Sequence, residues 1–180
     1  MRTDARLVIE AMETSMCPEV ITWVNDKTTH FHWTGNTWAY PVGTADFESH
    51  VVTIQADPDQ SAFALRDPQS QRLIGYFEIG SIDVANHFGR LERFLIGPQT
   101  ARGRGLGQAA MRVIEDQFFE DARFHRFELV VATDNLPAIA CYQRAGFQVE
   151  GFLRESRSFG DEWRSVLIMG MLRSEWEASR

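Results

Sequence analysis

Residues 102 to 107 read Arg-Gly-Arg-Gly-Leu-Gly, between an apolar strand-like run ending Phe94-Leu95-Ile96 and a helical run from Leu106 to Phe119. Three glycines at a strand-to-helix junction let the backbone turn tightly and come close to a ligand. The free N–H groups and positive dipole end of the new helix then face that ligand. Arg102 and Arg104 add cations, so the junction reads as an anion site suited to a pyrophosphate.

Spacing narrows the choice of phosphate-bearing ligand. A nucleotide P-loop needs Gly-Lys followed by Ser or Thr, whereas Gly107 is followed by Gln108 and Ala109, so that reading fails. Gly105-Leu106-Gly107-Gln108-Ala109-Ala110 does satisfy the looser dinucleotide pattern. That pattern also asks for an acid at the end of the next strand. Glu128 has the separation but opens its strand, Phe127 to Ala132, instead of closing it. A glycine-rich turn without any ligand is the plainer alternative.

A second motif follows. Asn135-Leu136-Pro137-Ala138 through Tyr142-Gln143-Arg144-Ala145-Gly146-Phe147 reads as a short helix. Asn135 is a good N-cap, proline is tolerated in the first turn, and Gly146 can end the helix in a left-handed conformation. Asn135, Ala138 and Tyr142 share one face. The pairing of R-x-x-G-x-G with N-x-x-A-x-x-x-Y-x-x-x-G-F, with a strand between, resembles the GNAT superfamily of N-acetyltransferases.

The resemblance implies acetyl-CoA as cosubstrate and no metal. It assigns the pyrophosphate to Arg102, Gly103, Arg104, Gly105 and Gly107, with Leu106 and Gln108 in the same loop. Phe94, Leu95 and Ile96 of the preceding strand, and Asn135 and Ala138 of the following helix, would meet the pantetheine arm. The hydroxyl of Tyr142 would point at the thioester sulfur and protonate the leaving thiolate. A phenol with an ordinary pKa near 10 is a competent donor; simple packing of the ring against the sheet is the alternative.

From about Arg90 to Leu172 the chain is similar to the branch holding ribosomal-protein N-terminal and spermidine acetyltransferases. The likeness includes Val149-Glu150-Gly151-Phe152-Leu153-Arg154-Glu155, Gly160-Asp161-Glu162-Trp163 and Leu167-Ile168-Met169. One departure stands out: Ile96 to Arg102 is one residue longer than in many members, so either Gly97 belongs to the strand or the loop is longer.

The chain has 180 residues, 44% of them hydrophobic and 24% charged, which is ordinary for a globular enzyme. No run approaches the length of a membrane span, and Met1 to Arg6 leads into no signal-peptide core, so a soluble cytoplasmic protein is expected. Cys17 and Cys141 have no metal or disulfide spacing, and Cys141 reads as a small buried helix residue. Residues 1 to 96 hold 7 basic and 13 acidic side chains, while residues 97 to 180 hold 11 and 12. The acidic half is not the half with the phosphate motif, which fits a cationic amine acceptor and argues against nucleic acid.

Periodicity predicts strands at Leu7–Ala11, Ala62–Arg66, Leu73–Ile82, Leu91–Ile96, Phe127–Ala132, Gln148–Glu155 and Trp163–Leu172. Helices are expected around Pro18–Asn25, Thr44–Ile54, Leu106–Asp121 and through Tyr142, with an irregular aromatic stretch from His30 to Pro41. This order is that of the GNAT α+β fold: a mixed, mostly antiparallel central sheet flanked by helices, with a V-shaped cofactor cleft. One domain over residues 1–180 is expected, its acceptor side at about 1–60 and its acetyl-CoA part at about 61–180.

An amine must lose a proton before it attacks a thioester. Glu92 leads the candidates for the base because it lies on the strand entering the phosphate loop; Glu78 and His87 follow, and a surface acid paired with Arg90 or Arg93 is the alternative. His30, His32, Trp33, Trp38 and Tyr40 would belong to the acceptor pocket or to a hydrophobic lid. The resulting expectation is an N-acetyltransferase acting on a primary amine: a protein N-terminus, a polyamine or another small amine. A catalytically idle acyl-CoA-binding module of the same fold is the alternative; no membrane or nucleic-acid partner is expected, and a homodimer is left open.

Overall fold

Strand β3 (Leu73–Asp83) is buried at every position from Leu73 to Gly80, so both of its faces must be covered. It lies third in a seven-stranded sheet whose other members are β1 (Val8–Ala11), β2 (Ser61–Arg66), β4 (Phe88–Ile96), β5 (Arg126–Ala132), β6 (Gln148–Phe159) and β7 (Glu162–Leu172). This computed structural model describes residues 7–98, 103 and 105–180. Strand order is β1-β2-β3-β4-β5-β7-β6, and among the described residues every pairing is antiparallel except β4 with β5.

That parallel pair requires a crossover, supplied by α4 (Leu106–Phe119). Helices α4 and α5 (Leu136–Ala145) cover one face, where Met111, Ile114 and Phe118 meet Phe127, Leu129 and Met169. The second core cluster joins α1 (Cys17–Ile21), α2 (Lys27–Thr34) and α3 (Thr44–Gln55) to β2 and β3 through Val20, Trp33, Phe47, Val51, Ala64 and Tyr76. Alternation along the strands separates the clusters: Ala64 and Tyr76 belong to the second, Leu65 and Phe77 to the first. A last helix, α6 (Arg173–Ala178), follows β7 and has no counterpart in the sequence-based expectation.

The expected irregular stretch at 30–41 begins instead as helix α2. Asp26 caps it, its carboxylate accepting from the Thr29 amide and hydroxyl, both at 2.7 Å. Aromatic and β-branched residues are weak helix formers, so periodicity gave no clear signal. Burial of His30, Phe31, Trp33 and Thr34 supplies what propensity lacks. The β6–β7 hairpin is also longer than expected, reaching Phe159 and Glu162, with Gly160 at φ 61° making the turn. Strand β4 starts at Phe88 because its first residues, not only its last, pair with β5. Helix α1 stops early, where Thr22 turns its hydroxyl back to the Glu19 carbonyl at 2.6 Å.

Candidate active site

The parallel pair sets the site. Phe88 to Leu91 pair with Arg126 to Leu129; beyond that the recorded pairing of β4 with β5 ends although both strands continue. Just there β4 carries an irregularity: Tyr76 faces Leu95 and Glu78 faces Glu92, so β4 spends one more residue than β3. Arg93 absorbs it with φ at 45°, an uncommon value for a residue with a Cβ. The two strands therefore splay like a V. On the far side Gly97 donates its amide to the Ile74 carbonyl at 2.8 Å, so the ladder with β3 runs one residue past Ile96. Gly97 thus continues the pairing, and Trp23 packs where a Gly97 side chain would be, 2.4 Å from an added Cβ.

Two cavities open at the splay. One, of about 640 Å³, is lined by Phe94, Leu95, Ile96, Gly103, Gly105, Gly107, Gln108, Asn135, Pro137, Ala138, Cys141, Tyr142 and Arg144, among others. The other, of about 530 Å³, is lined by residues 31–37 of α2 and its end, by 90–94 of β4, by 129–132 of β5, and by Arg157 and Val166. They share His32, Trp33, Phe94, Asn135 and Tyr142.

The first cavity has a glycine-lined end. Gly103 and Gly105 sit at φ 75° and 82°, with nothing within 4 Å of an added Cβ. Gly105 precedes α4, and among the described residues no side chain caps that helix start, so its first-turn amides are available to an anion. A Cβ on Gly107 would lie 3.1 Å from the Cys141 sulfur, where α4 passes α5. Gln108 fastens the same contact, its amide donating to the Cys141 carbonyl at 2.7 Å. Asn135 caps α5 by accepting from the Ala138 amide at 3.4 Å, and Gly146 ends the helix at φ 110°. Leu106 turns inward to the core and does not line the cavity. Arg102 and Arg104 lie outside the described residues.

Tyr142 stands at the seam, against Phe94 and Phe147 with ring centroids 6.3 and 6.1 Å away. Burial, with a smaller contribution from Cys141, pushes its phenol well above the ordinary value of 10. The assumption of an unperturbed phenol is therefore corrected: the hydroxyl stays protonated but is a weaker acid. Cys141, expected to be buried, is only partly so and lines the glycine-lined cavity; burial raises its thiol too.

Glu92 lines the second cavity, where its carboxylate accepts from the Ser81 hydroxyl at 2.9 Å and lies 3.6 Å from Arg93. Glu78 does not reach either cavity. It is buried and accepts from His50 at 2.9 Å, Arg93 at 2.5 Å and Tyr76 at 2.5 Å. Burial pushes its carboxyl up, but these partners outweigh burial and hold it below the usual range. His87 is exposed in the β3–β4 turn, bonded to the Arg123 carbonyl at 2.6 Å, and lines neither cavity. Of the aromatic segment, His32 and Trp33 reach the site, while Trp38 stacks its edge on His50 and His30 on Tyr40. Thr37, Arg144, Arg157 and Val166 line the cavities without any local sequence signal. Among the described residues no group of three or more His, Cys, Asp or Glu side chains gathers as for a metal, and no helix is long and apolar enough to cross a membrane.

A mostly antiparallel sheet that splays at its parallel pair beside a glycine-lined helix start defines a class, the GNAT fold. Residues 25–147 match the model of the acetyltransferase (GNAT) family. The chain belongs to that family. Probable N-acetyltransferase YjcK of Bacillus subtilis (strain 168) is 26% identical over 118 residues, covering 64% of this chain and 63% of the relative, so the match spans just under two thirds of that protein. A spermidine N(1)-acetyltransferase of Vibrio cholerae is 27% identical over 120 residues, covering 67% of this chain and 68% of the relative. The crystal structure of spermidine N-acetyltransferase from Vibrio cholerae in complex with CoA and spermine matches with a TM-score of 0.83 at 22% identity, over 96% of this chain and 98% of that one.

Proposed function

We propose that the protein is an acetyl-CoA-dependent N-acetyltransferase acting on a primary amine, with residues 1–180 working as one catalytic unit. The observation that carries this reading is the position of Tyr142, on the seam between a cavity with a glycine cradle and a cavity holding Glu92. The glycine end and the α4 amides suit a pyrophosphate, and the apolar walls from Phe94 to Ile96 and Ala138 suit a pantetheine arm. The cosubstrate supplies an acetyl group already activated as a thioester. In the transfer, an N–C bond forms and the C–S bond breaks; the amine loses a proton and the sulfur gains one. Glu92 receives the amine proton directly or through one water, and Tyr142 donates to the sulfur. Burial keeps the phenol protonated and ready to donate until the thiolate departs, and solvent then returns its proton.

The relatives with polyamine names support an amine acceptor. In this reading the acceptor side takes in residues of β4, β5 and β6 that line the second cavity as well as residues before 60. The test combines ligand-induced stabilisation with thiol release. Acetyl-CoA at 100 times its dissociation constant is expected to stabilise the fold by roughly 2.7 kcal/mol. CoA should then be released only when a suitable amine is present. Stabilisation without thiol release across a broad amine panel would instead make the protein an idle acyl-CoA-binding module.

A further inference from the structure

We propose that the acceptor is an amine that also carries an oxyanion, with Arg157 as the anion anchor and Glu92 at the amine end. This rests on the acetyltransferase reading and narrows its substrate class. The acidic balance of residues 1–96 does not describe the cavity wall, which presents Arg90, Arg93 and Arg157 against the single carboxylate of Glu92.

Two of the three guanidinium groups are already matched. Arg90 donates to Glu128 at 2.6 Å and Arg93 to Glu78 at 2.5 Å. Each nevertheless keeps a buried Nε without a hydrogen-bond partner among the described residues. Arg157 is different: its recorded contact is to the neighbouring Ser156 carbonyl at 2.9 Å, and among the described residues no carboxylate lies within ion-pair distance. The register explains why. Arg157 pairs across the hairpin with Arg164, which takes Asp134 at 3.2 Å and Glu162 at 2.9 Å. Like charges opposite one another repel, so the arginine left over has every reason to seek an anion.

An arginine cannot shed its charge at physiological pH, and its fork matches a carboxylate or phosphate. Strands β4 and β6 are separated in the sheet by β5 and β7, at least three spacings or about 14 Å at the backbone, and more where β4 splays from β5. Arg157, an exposed residue, and Glu92 line the same cavity across that gap. An extended amino acid with its amine on a side chain fits between them better than a polyamine, which brings positive charge to both ends.

The test uses pairs that differ by one carboxylate: ornithine against putrescine and lysine against cadaverine, with spermidine as a longer polycation. A tripeptide with an acidic residue beside its amino terminus offers the same chemistry from a peptide source. Binding is measured calorimetrically with CoA present, and turnover by thiol release with acetyl-CoA. Wild type is expected to favour ornithine or lysine over its decarboxylated partner, or the acidic tripeptide over its neutral counterpart, by roughly tenfold or more in affinity and kcat/KM. Whichever of the two sources binds tighter names the acceptor. Arg157→Ala should abolish the preference through KM, and Arg157→Glu should reverse it. Preference for putrescine or spermidine in wild type, or an unchanged ratio in Arg157→Ala, overturns the proposal. If no amine releases thiol, the acetyltransferase reading fails, yet the binding ratios still decide whether Arg157 holds an anion.

Discussion

The indole N–H of Trp33 donates to the backbone carbonyl of Arg93 at 3.0 Å, joining α2 to the strand irregularity at which the sheet splays. Trp33 is buried, with its ring edge-on to Phe47 and Tyr76, so the bond is sheltered from water. It holds the carbonyl of a residue whose own φ is unfavourable, and so helps to fix both Glu92 and the mouth between the cavities.

Trp33→Phe keeps an aromatic ring but leaves the Arg93 carbonyl without its donor. The expected cost is about 1–3 kcal/mol of stability from the unsatisfied group, together with cavity loss. The KM for the amine should rise more than that for acetyl-CoA, because Arg93, whose carbonyl loses its donor, lines the second cavity and not the glycine-lined one. Denaturant melts and two-substrate kinetics check this; equal changes in both KM values would show that the Trp33 bond to Arg93 does not act selectively on amine binding.

Tyr142→Phe preserves the packing on Phe94 and Phe147 while removing the hydroxyl. Turnover should fall by roughly 10²-fold, the low end of the range for a lost general acid, since burial already makes this phenol a reluctant one. The melting temperature should hardly move. Full activity in the variant would hand the proton to water.

Glu92→Gln retains the hydrogen bond from Ser81 and discards the charge. If Glu92 takes the amine proton, kcat/KM should suffer most at low pH, where few amines are already neutral, and the profile should rise only with amine deprotonation. A variant curve running parallel to wild type would show that Glu92 merely shapes the wall.

Glu115 on α4 offers a pH test of stability away from the chemistry. Burial pushes its carboxyl up to about 8, against a smaller opposing effect of Arg180 and Arg112, and its Oε1 lacks a hydrogen-bond partner among the described residues. The folded pKa is above the unfolded one, so this group's contribution is intact below about pH 4.5 and is lost as pH rises to about 8. The slope in that window approaches about 1.4 kcal/mol per pH unit. Glu115→Gln should therefore be more stable than wild type at about pH 8, with the advantage shrinking toward about pH 4. Urea titrations at both ends decide it; a gap that does not change with pH would mean that Glu115 is solvated or paired.

The chain's local signals determined the elements that depend on few neighbours. Asn135 and Gly146 bound α5, and Gly105 starts α4, because a cap or a left-handed φ is decided within one helical turn. That the glycine motif and the Tyr142 helix form one site was implied by the resemblance to the GNAT superfamily and not by these local signals. Helix α2 could not be read locally, since its stability comes from burying His30, Phe31 and Trp33 against distant elements and not from propensity. Nor could residue types alone choose among acids: Glu78 is engaged by His50, Arg93 and Tyr76, whereas Glu92 faces a cavity. Folding likewise brings Asp134 of the β5–α5 turn to Arg164 and leaves Arg157 in the wall of the second cavity. Burial, charge pairing and the splay of β4 from β5 are sums over residues far apart in the chain, so only the folded structure fixes them.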